Sequence, residues 1–169
     1  MEVRTQFYTY GEDAESRLVL HDGRAFGPVT LAYETYGELN DKKDNAILIF
    51  HALSGSQHLT GFNPDVPGTA DRWNNECQTG WWDDFVGPGK TIDTNRFFVV
   101  CANYLGGCYG STGPSSINPE TGKEWGGDFP QISFGDIVDS QIPLYDELGI
   151  NCFHTAIGSS LGGMLVMNF

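Results

Sequence analysis

Three short apolar runs stand out along the chain: residues 45–50 (NAILIF), 97–102 (FFVVCA) and, more weakly, 153–157 (FHTAI). The first two are continuous rather than alternating, which predicts strands covered on both faces. Two further stretches, 17–21 (RLVLH) and 29–36 (VTLAYETY), have the apolar and β-branched content of strands. The Gly- and Pro-bearing segment 22–28 between them predicts an antiparallel pair. Between the second and third apolar runs, Ile137, Val138, Ile142, Leu144, Tyr145 and Leu148 recur largely at helical spacing. Ser133 and Asp136 supply a capping-box-like start and Gly149 a stop, so the spacing predicts a helix over 134–148. Strand, helix, strand implies a right-handed crossover and parallel pairing, hence an α/β sheet with helices on its faces. Residues 51–96 carry no clean periodicity, and Trp73, Trp81, Trp82 and Phe85 fit either a short helix or a packed loop there.

Composition narrows the class. With 169 residues, 40% of them hydrophobic and 13% aromatic, the chain can bury one sizeable core and reads as one domain. A formal net charge of -13 repels phosphate backbones and anionic lipid, so neither nucleic acid nor a membrane surface is an expected partner. No stretch approaches the ~18 apolar residues of a membrane span, and MEVRTQFYTYGEDAESR has no apolar signal core, which makes a cytoplasmic setting the expectation. Cys77, Cys101, Cys108 and Cys152 show no C-x-x-C spacing, so no metal site is expected. Cys101 and Cys152 sit in apolar runs and read as buried, reduced thiols. Glycine is concentrated over 87–127 and 158–163, which suggests long, shaped loops.

The candidate chemistry lies in three of those loops. Gly158-Ser159-Ser160-Leu161-Gly162 fits G-x-S-x-G, the pattern of a nucleophilic serine on a sharp strand-to-helix turn. Five positions are too few to be specific, but a candidate strand leads in and the apolar segment LGGMLVMNF leads out. Ser160 holds the central position, with Ser159 the neighbouring alternative. Its hydroxyl would project at a helix N-terminus, where backbone N–H groups favour developing negative charge. A phosphate cradle fits less well, since neither G-x-x-x-x-G-K-[ST] nor G-x-G-x-x-G is present. After the first buried run comes His51-Ala52-Leu53-Ser54-Gly55-Ser56, placed to supply one oxyanion-hole N–H, while the residue after the nucleophile supplies the other. Leu53 and Leu161 are the candidates, acting through backbone amides. His51 reads as a residue that shapes this loop, because the base in such an architecture follows the serine in sequence; His21, His58 and His154 meet the same objection. Residues 103–114 (NYLGGCYGSTGP) follow the second run on the same carboxyl edge, as pocket wall or compact loop alike. Cys108 within it has nothing basic near it in sequence to activate the thiol.

Together these stretches resemble the homoserine O-acetyltransferase family of the α/β-hydrolase fold. The likeness is carried by YETYGELN (33–40), FHALSGSQH (50–58), WWDDFVGPGKTIDTNRFFVV (81–100), NYLGGCYGSTGPSSINPETG (103–122), DFP (128–130) and GSSLGGM (158–164). Ser159 departs from it, since relatives often carry glycine there. The resemblance implies a fold class: the N-terminal part of an α/β-hydrolase fold, mostly parallel, in which residues 1–169 form a partial domain ending just after the nucleophile elbow. It also implies an activity, transfer of an acetyl group from acetyl-CoA to the hydroxyl of L-homoserine through an acyl-enzyme on Ser160, a step toward methionine. No resident cofactor is implied, acetyl-CoA being a co-substrate, and the full-length form is expected to be a homodimer. The lid, the triad Asp and His and a substrate-binding arginine belong to segments that these 169 residues do not contain, so the separate chain is expected to be inactive and to expose an unpaired sheet edge. Succinyl-CoA as donor, serine as acceptor, a serine esterase and a noncatalytic module are the alternatives.

Overall fold

Apolar runs become the centre of a five-stranded sheet. The computed structural model describes residues 2–169, and within them the strands are β1 (Gln6–Tyr10), β2 (Leu18–Val19), β3 (Ala25–Phe26), β4 (Val29–Tyr36), β5 (Ala46–Phe50), β6 (Val86–Gly87), β7 (Ile92–Asp93), β8 (Phe98–Ala102) and β9 (Phe153–Gly158). The helices are α1 (Phe134–Asp139), α2 (Ile142–Glu147) and α3 (Leu161–Asn168). The main sheet has the order β1-β4-β8-β5-β9. β8, β5 and β9 run parallel; β4 is antiparallel to both β8 and β1, so β1 points the same way as the parallel three. Every residue of β5 and β8 is buried, as their unbroken apolar sequence requires.

Alternate residues of the central strands feed two cores. Ala46, Leu48, Phe50 and Val100 pack with Ile137, Val138 and Tyr145 of α1 and α2 and with Leu165 of α3. Ile47, Ile49, Val99 and Cys101 face the other way, onto Tyr36, Leu59, Val86 and Ile92. Helices therefore cover one face. The second face is covered by the irregular stretch 51–96, which is a packed loop with a single turn of 3-10 helix at Ala70–Arg72 and the two-residue β6–β7 pair.

Three expectations from the sequence need correction. Leu18–Val19 pairs with Ala25–Phe26 in a small hairpin, not with 29–36; β4 takes its antiparallel partners from β1 and β8 instead. The helix expected over 134–148 is two helices with a break at Ser140 and Gln141. Pro143 has no N–H to give to residue 139 and its ring would meet that carbonyl, so it is accommodated only in the first turn of a new helix. The rest of the pattern holds. Ser133 and Asp136 form the reciprocal capping box, with Asp136 N–H donating to Ser133 Oγ (3.1 Å) and Ser133 N–H to Asp136 Oδ2 (2.6 Å). Gly149, at φ +69, closes α2. Of the two cysteines expected to be buried, Cys101 is, within β8; Cys152 is exposed in the turn before β9.

One buried charge sits inside β4. Glu34 is fully enclosed; Thr5 Oγ and Asn63 Nδ2 donate to its Oε1 (both 2.8 Å), and Tyr36 OH and His58 Nδ1 donate to its Oε2, the latter at 2.8 Å. His58 Nε2 faces the carbonyls of Gly61 and Gln78 at 3.1 Å each. With oxygen acceptors at both ring nitrogens, the geometry is that of an imidazolium paired with a carboxylate. Burial alone would raise the Glu34 carboxyl, but the hydrogen bond and charge of His58, with the hydroxyls of Tyr36 and Thr5, outweigh it and hold it below the ordinary glutamate value. A carboxyl depressed on folding contributes stability above its unfolded value and loses that contribution as pH falls through the folded one. Glu34→Gln should therefore cost about 3–5 kcal/mol near neutral pH, because it leaves the histidine charge buried and unpaired. Urea unfolding across pH 3–7 should also show a flatter acid limb in the variant; an unchanged midpoint at neutral pH would contradict the pairing.

Candidate active site

The carboxyl ends of β5, β8 and β9 lie side by side, with Ile49 opposite Cys101 and Phe50 opposite Gly158, so the loops that follow them meet on one edge. Between β9 and α3 the chain turns within two residues. Ser160 sits at the turn with φ 54 and ψ −125, a backbone conformation that side-chain-bearing residues rarely adopt. Its side chain is exposed and does not cap the helix it precedes. The flanking glycines are steric requirements. A Cβ on Gly158 would collide with the Gly162 carbonyl, and one on Gly162 with the carbonyl of Phe50. Gly163 differs: a Cβ there would meet only Gly158 O, at an ordinary 3.4 Å.

Leu53 and Leu161 line one cavity of about 290 Å³, together with His51, Asn103, Tyr104 and Ile137. Leu53 is 80% exposed, so its side chain is not anchored in the core. Leu161 opens α3, and a first-turn N–H has no acceptor within its own helix. The structure thus brings the 51–56 loop, the 103–109 segment and the start of α3 to a shared wall. Residues 103–114 are both readings at once, pocket wall over 103–109 and compact loop beyond. Where β8 ends, the loop continues along β4 through side chains: Ala32 N–H donates to Ser111 Oγ (3.0 Å) and Thr30 N–H to Thr112 Oγ1 (2.8 Å). Ser111 Oγ donates on to Asn103 O (2.7 Å), which fixes Asn103 at the cavity. The sequence marks 103–114 as a stretch but gives Asn103 and Tyr104 no individual role, because that role comes from contacts across the fold.

Each histidine is engaged elsewhere than at Ser160. His21 Nε2 bonds Asp139 Oδ2 at 3.0 Å on the surface, His58 pairs with Glu34, and the His154 ring packs on Phe97 near the opposite end of β9. His51 is 2% exposed and stacks on Tyr104 with ring centroids 3.8 Å apart. Burial pushes its imidazole down to about 4, only partly offset by the bond to Ala52 O, so it stays neutral and is a poor base. Cys108 gains a basic neighbour that its local sequence lacks: Arg72 Nε donates to its carbonyl at 3.2 Å. Among the described residues, no group of three or more His, Cys, Asp or Glu is placed to hold a metal ion, and no helix is long and apolar enough to cross a membrane.

A strand, a strained serine and a helix N-terminus at the carboxyl edge of a largely parallel sheet define a nucleophile-elbow protein. Residues 45–169 match the alpha/beta hydrolase fold, and the chain belongs to that family. Within it, the chain is 46% identical to a homoserine O-acetyltransferase of Deferribacter desulfuricans over 99% of its own length and 41% of that protein's. It is 51% identical to a homoserine O-succinyltransferase of Saccharophagus degradans over 90% of its own length and 38% of the relative's. Among solved structures, the homoserine O-acetyltransferase from Bacillus anthracis superposes with a TM-score of 0.81 at 35% identity, covering 99% of this chain and 43% of that one. Esterase E22 superposes with a TM-score of 0.79 at 36% identity, covering 96% and 42%. The chain thus spans about two-fifths of the length of the relatives it matches.

Two measurements check this geometry. Gly162→Ala should lose about 1–3 kcal/mol in urea unfolding, because the first turn of α3 must move off β5. Gly163→Ala should be neutral or gain up to about 1 kcal/mol from helix propensity; equal effects would show that the crossing is not tight. In an NMR titration, His51 should keep neutral-imidazole shifts down to about pH 4. His21, held by Asp139, should titrate above the usual histidine value.

Proposed function

We propose that this chain carries the nucleophile and oxyanion side of a homoserine O-acyltransferase site, with acetyl-CoA as donor and L-homoserine as acceptor. The observation that carries the reading is the strained, exposed Ser160 beside a cavity walled by both Leu53 and Leu161. In the complete polypeptide, Ser160 Oγ attacks the thioester carbonyl as a histidine from beyond residue 169 takes its proton. The N–H groups of Leu53 and Leu161 stabilise the tetrahedral oxyanion. Its collapse breaks the C–S bond; the thiolate takes the proton from the histidine and leaves as CoA. The homoserine hydroxyl then gives its proton to the histidine, attacks the acetyl-serine, and returns Ser160 as the ester departs. Transfer wins over hydrolysis only where water is kept from the acyl-enzyme.

The engagement of all four histidines away from Ser160 supports a base supplied from outside these residues, and with it inactivity of this chain by itself. The relative named a homoserine O-succinyltransferase supports succinyl-CoA as a second donor reading, and the likeness to esterase E22 supports water as a second acceptor. A cytoplasmic, homodimeric enzyme of methionine biosynthesis fits four unbridged cysteines and an acidic surface that suits neither nucleic acid nor anionic membranes.

In the complete enzyme, incubation with acetyl-CoA alone should release CoA and leave one acetyl group on Ser160, seen by mass spectrometry. Adding L-homoserine should discharge it to the O-acetyl ester faster than water does. Ser160→Ala should remove the adduct and lower turnover by roughly 10⁴-fold or more. An adduct that persists in the variant, or discharge to water alone, would overturn the reading.

A further inference from the structure

The carbonyl of Ala52 accepts two hydrogen bonds, from His51 Nδ1 at 2.7 Å and from Gly55 N–H at 2.8 Å. A carbonyl can only accept, so Nδ1 carries the imidazole proton, and Nε2 is left to accept from Asn103 Nδ2 at 3.5 Å. The ring cannot swing away from this arrangement. It is clamped by the stack on Tyr104, whose hydroxyl donates to His51 O, and Gly55 closes the other side: a Cβ there would sit 3.0 Å from His51 Cβ. In a trans peptide the carbonyl and the following N–H point in opposite directions. Capture of the Ala52 carbonyl on the His51 side therefore turns the Leu53 N–H to the opposite side.

We infer that His51 is a positioning residue: with Gly55, it locks the 52–53 peptide so that the Leu53 N–H is presented to the oxyanion before any substrate arrives. This rests on the proposed role of Leu53 and gives the loop histidine a task other than proton transfer. Without the Nδ1 donor, the Gly55 N–H alone holds the Ala52 carbonyl, and a flip of the 52–53 peptide would put a carbonyl oxygen where the negative charge develops. An oxyanion donor lost in this way costs about 10²–10³-fold in the acylation step.

The test compares His51→Phe, which keeps a flat ring against Tyr104 and removes the donor, with His51→Asn, whose Nδ2 restores a donor close to the Nδ1 position. Acylation of the complete enzyme is followed by the burst of p-nitrophenol from p-nitrophenyl acetate, a probe that needs neither acetyl-CoA nor homoserine. Failure of homoserine acetylation in the wild type would then sink the proposed function while leaving this inference measurable. Both variants are first compared with wild type by thermal unfolding. The expected result is a burst rate about 10²-fold lower in His51→Phe with KM little changed, recovery to within about tenfold in His51→Asn, and a parallel loss and recovery in affinity for a boronic acid that forms a tetrahedral adduct on Ser160. A His51→Phe enzyme that acylates at the wild-type rate would overturn the inference. So would equal impairment of both variants, which would assign His51 to packing alone. If His51→Phe does not fold, His51→Leu, which also lacks the donor but is smaller than the ring, replaces it, and a burst unchanged in that folded variant would overturn the lock.

Discussion

The first turn of α3 crosses the carboxyl end of β5 with backbone against backbone, and the rest of the site is arranged around that contact. Gly162 lies on the Phe50 carbonyl and Gly158 on the Gly162 carbonyl, with no room for a side chain between them. Because of this approach the chain has to reverse within two residues, which throws Ser160 into a positive-φ conformation and leaves its side chain exposed. The strain of that conformation, of order 1–3 kcal/mol, is offset by Leu165 and its neighbours, which bury the inner face of α3 against Phe50 and Tyr145. Placement of β5 between β8 and β9 then makes three loops converge on the serine.

What the converging loops contribute is mostly backbone. In the proposed function Leu53 and Leu161 act through their amides and Ala52 through its carbonyl, while the side chains at the cavity either pack, as Ile137 and Leu105 do, or hold other groups in place, as Asn103 and His51 do. A wall built in this way is indifferent to what attacks the acyl group afterwards. That is consistent with chains of near-equal structural likeness bearing the names transferase and esterase. In the proposed function, the choice between homoserine and water as acceptor would rest on groups outside the elbow.

Much of this was legible along the chain wherever one local rule decided the outcome. Continuous apolar runs located β5 and β8 and a weaker one β9; the Ser133–Asp136 spacing located the helix start; five residues and their flanks located the elbow. The pattern misled where two rules compete. The local rule pairs β4 with the nearest apolar neighbour, yet its partner is β1 (QFYTY), whose aromatic and β-branched residues suit a strand but lie in an N-terminal stretch that reads along the chain only as lacking a signal core. Helical spacing ran straight through Pro143, although proline chemistry divides the helix. Glu34, His58 and Asn63 carry no sequence signal as a group, since only the folding of 51–96 over the sheet puts them together.

The Glu34–His58 pair has a consequence for how this sequence can change over time. Its members sit 24 positions apart, and neither is exposed. Losing one strands the other's charge in the interior, while replacing both by well-fitted apolar residues is often neutral or better. The charged and apolar versions of this clamp are therefore two separate peaks with a deep saddle between them, reached from one another only by coordinated substitution. Drift at positions 34 and 58 should be coupled, while exposed Ser159, whose side chain has no such partner, is free to vary alone.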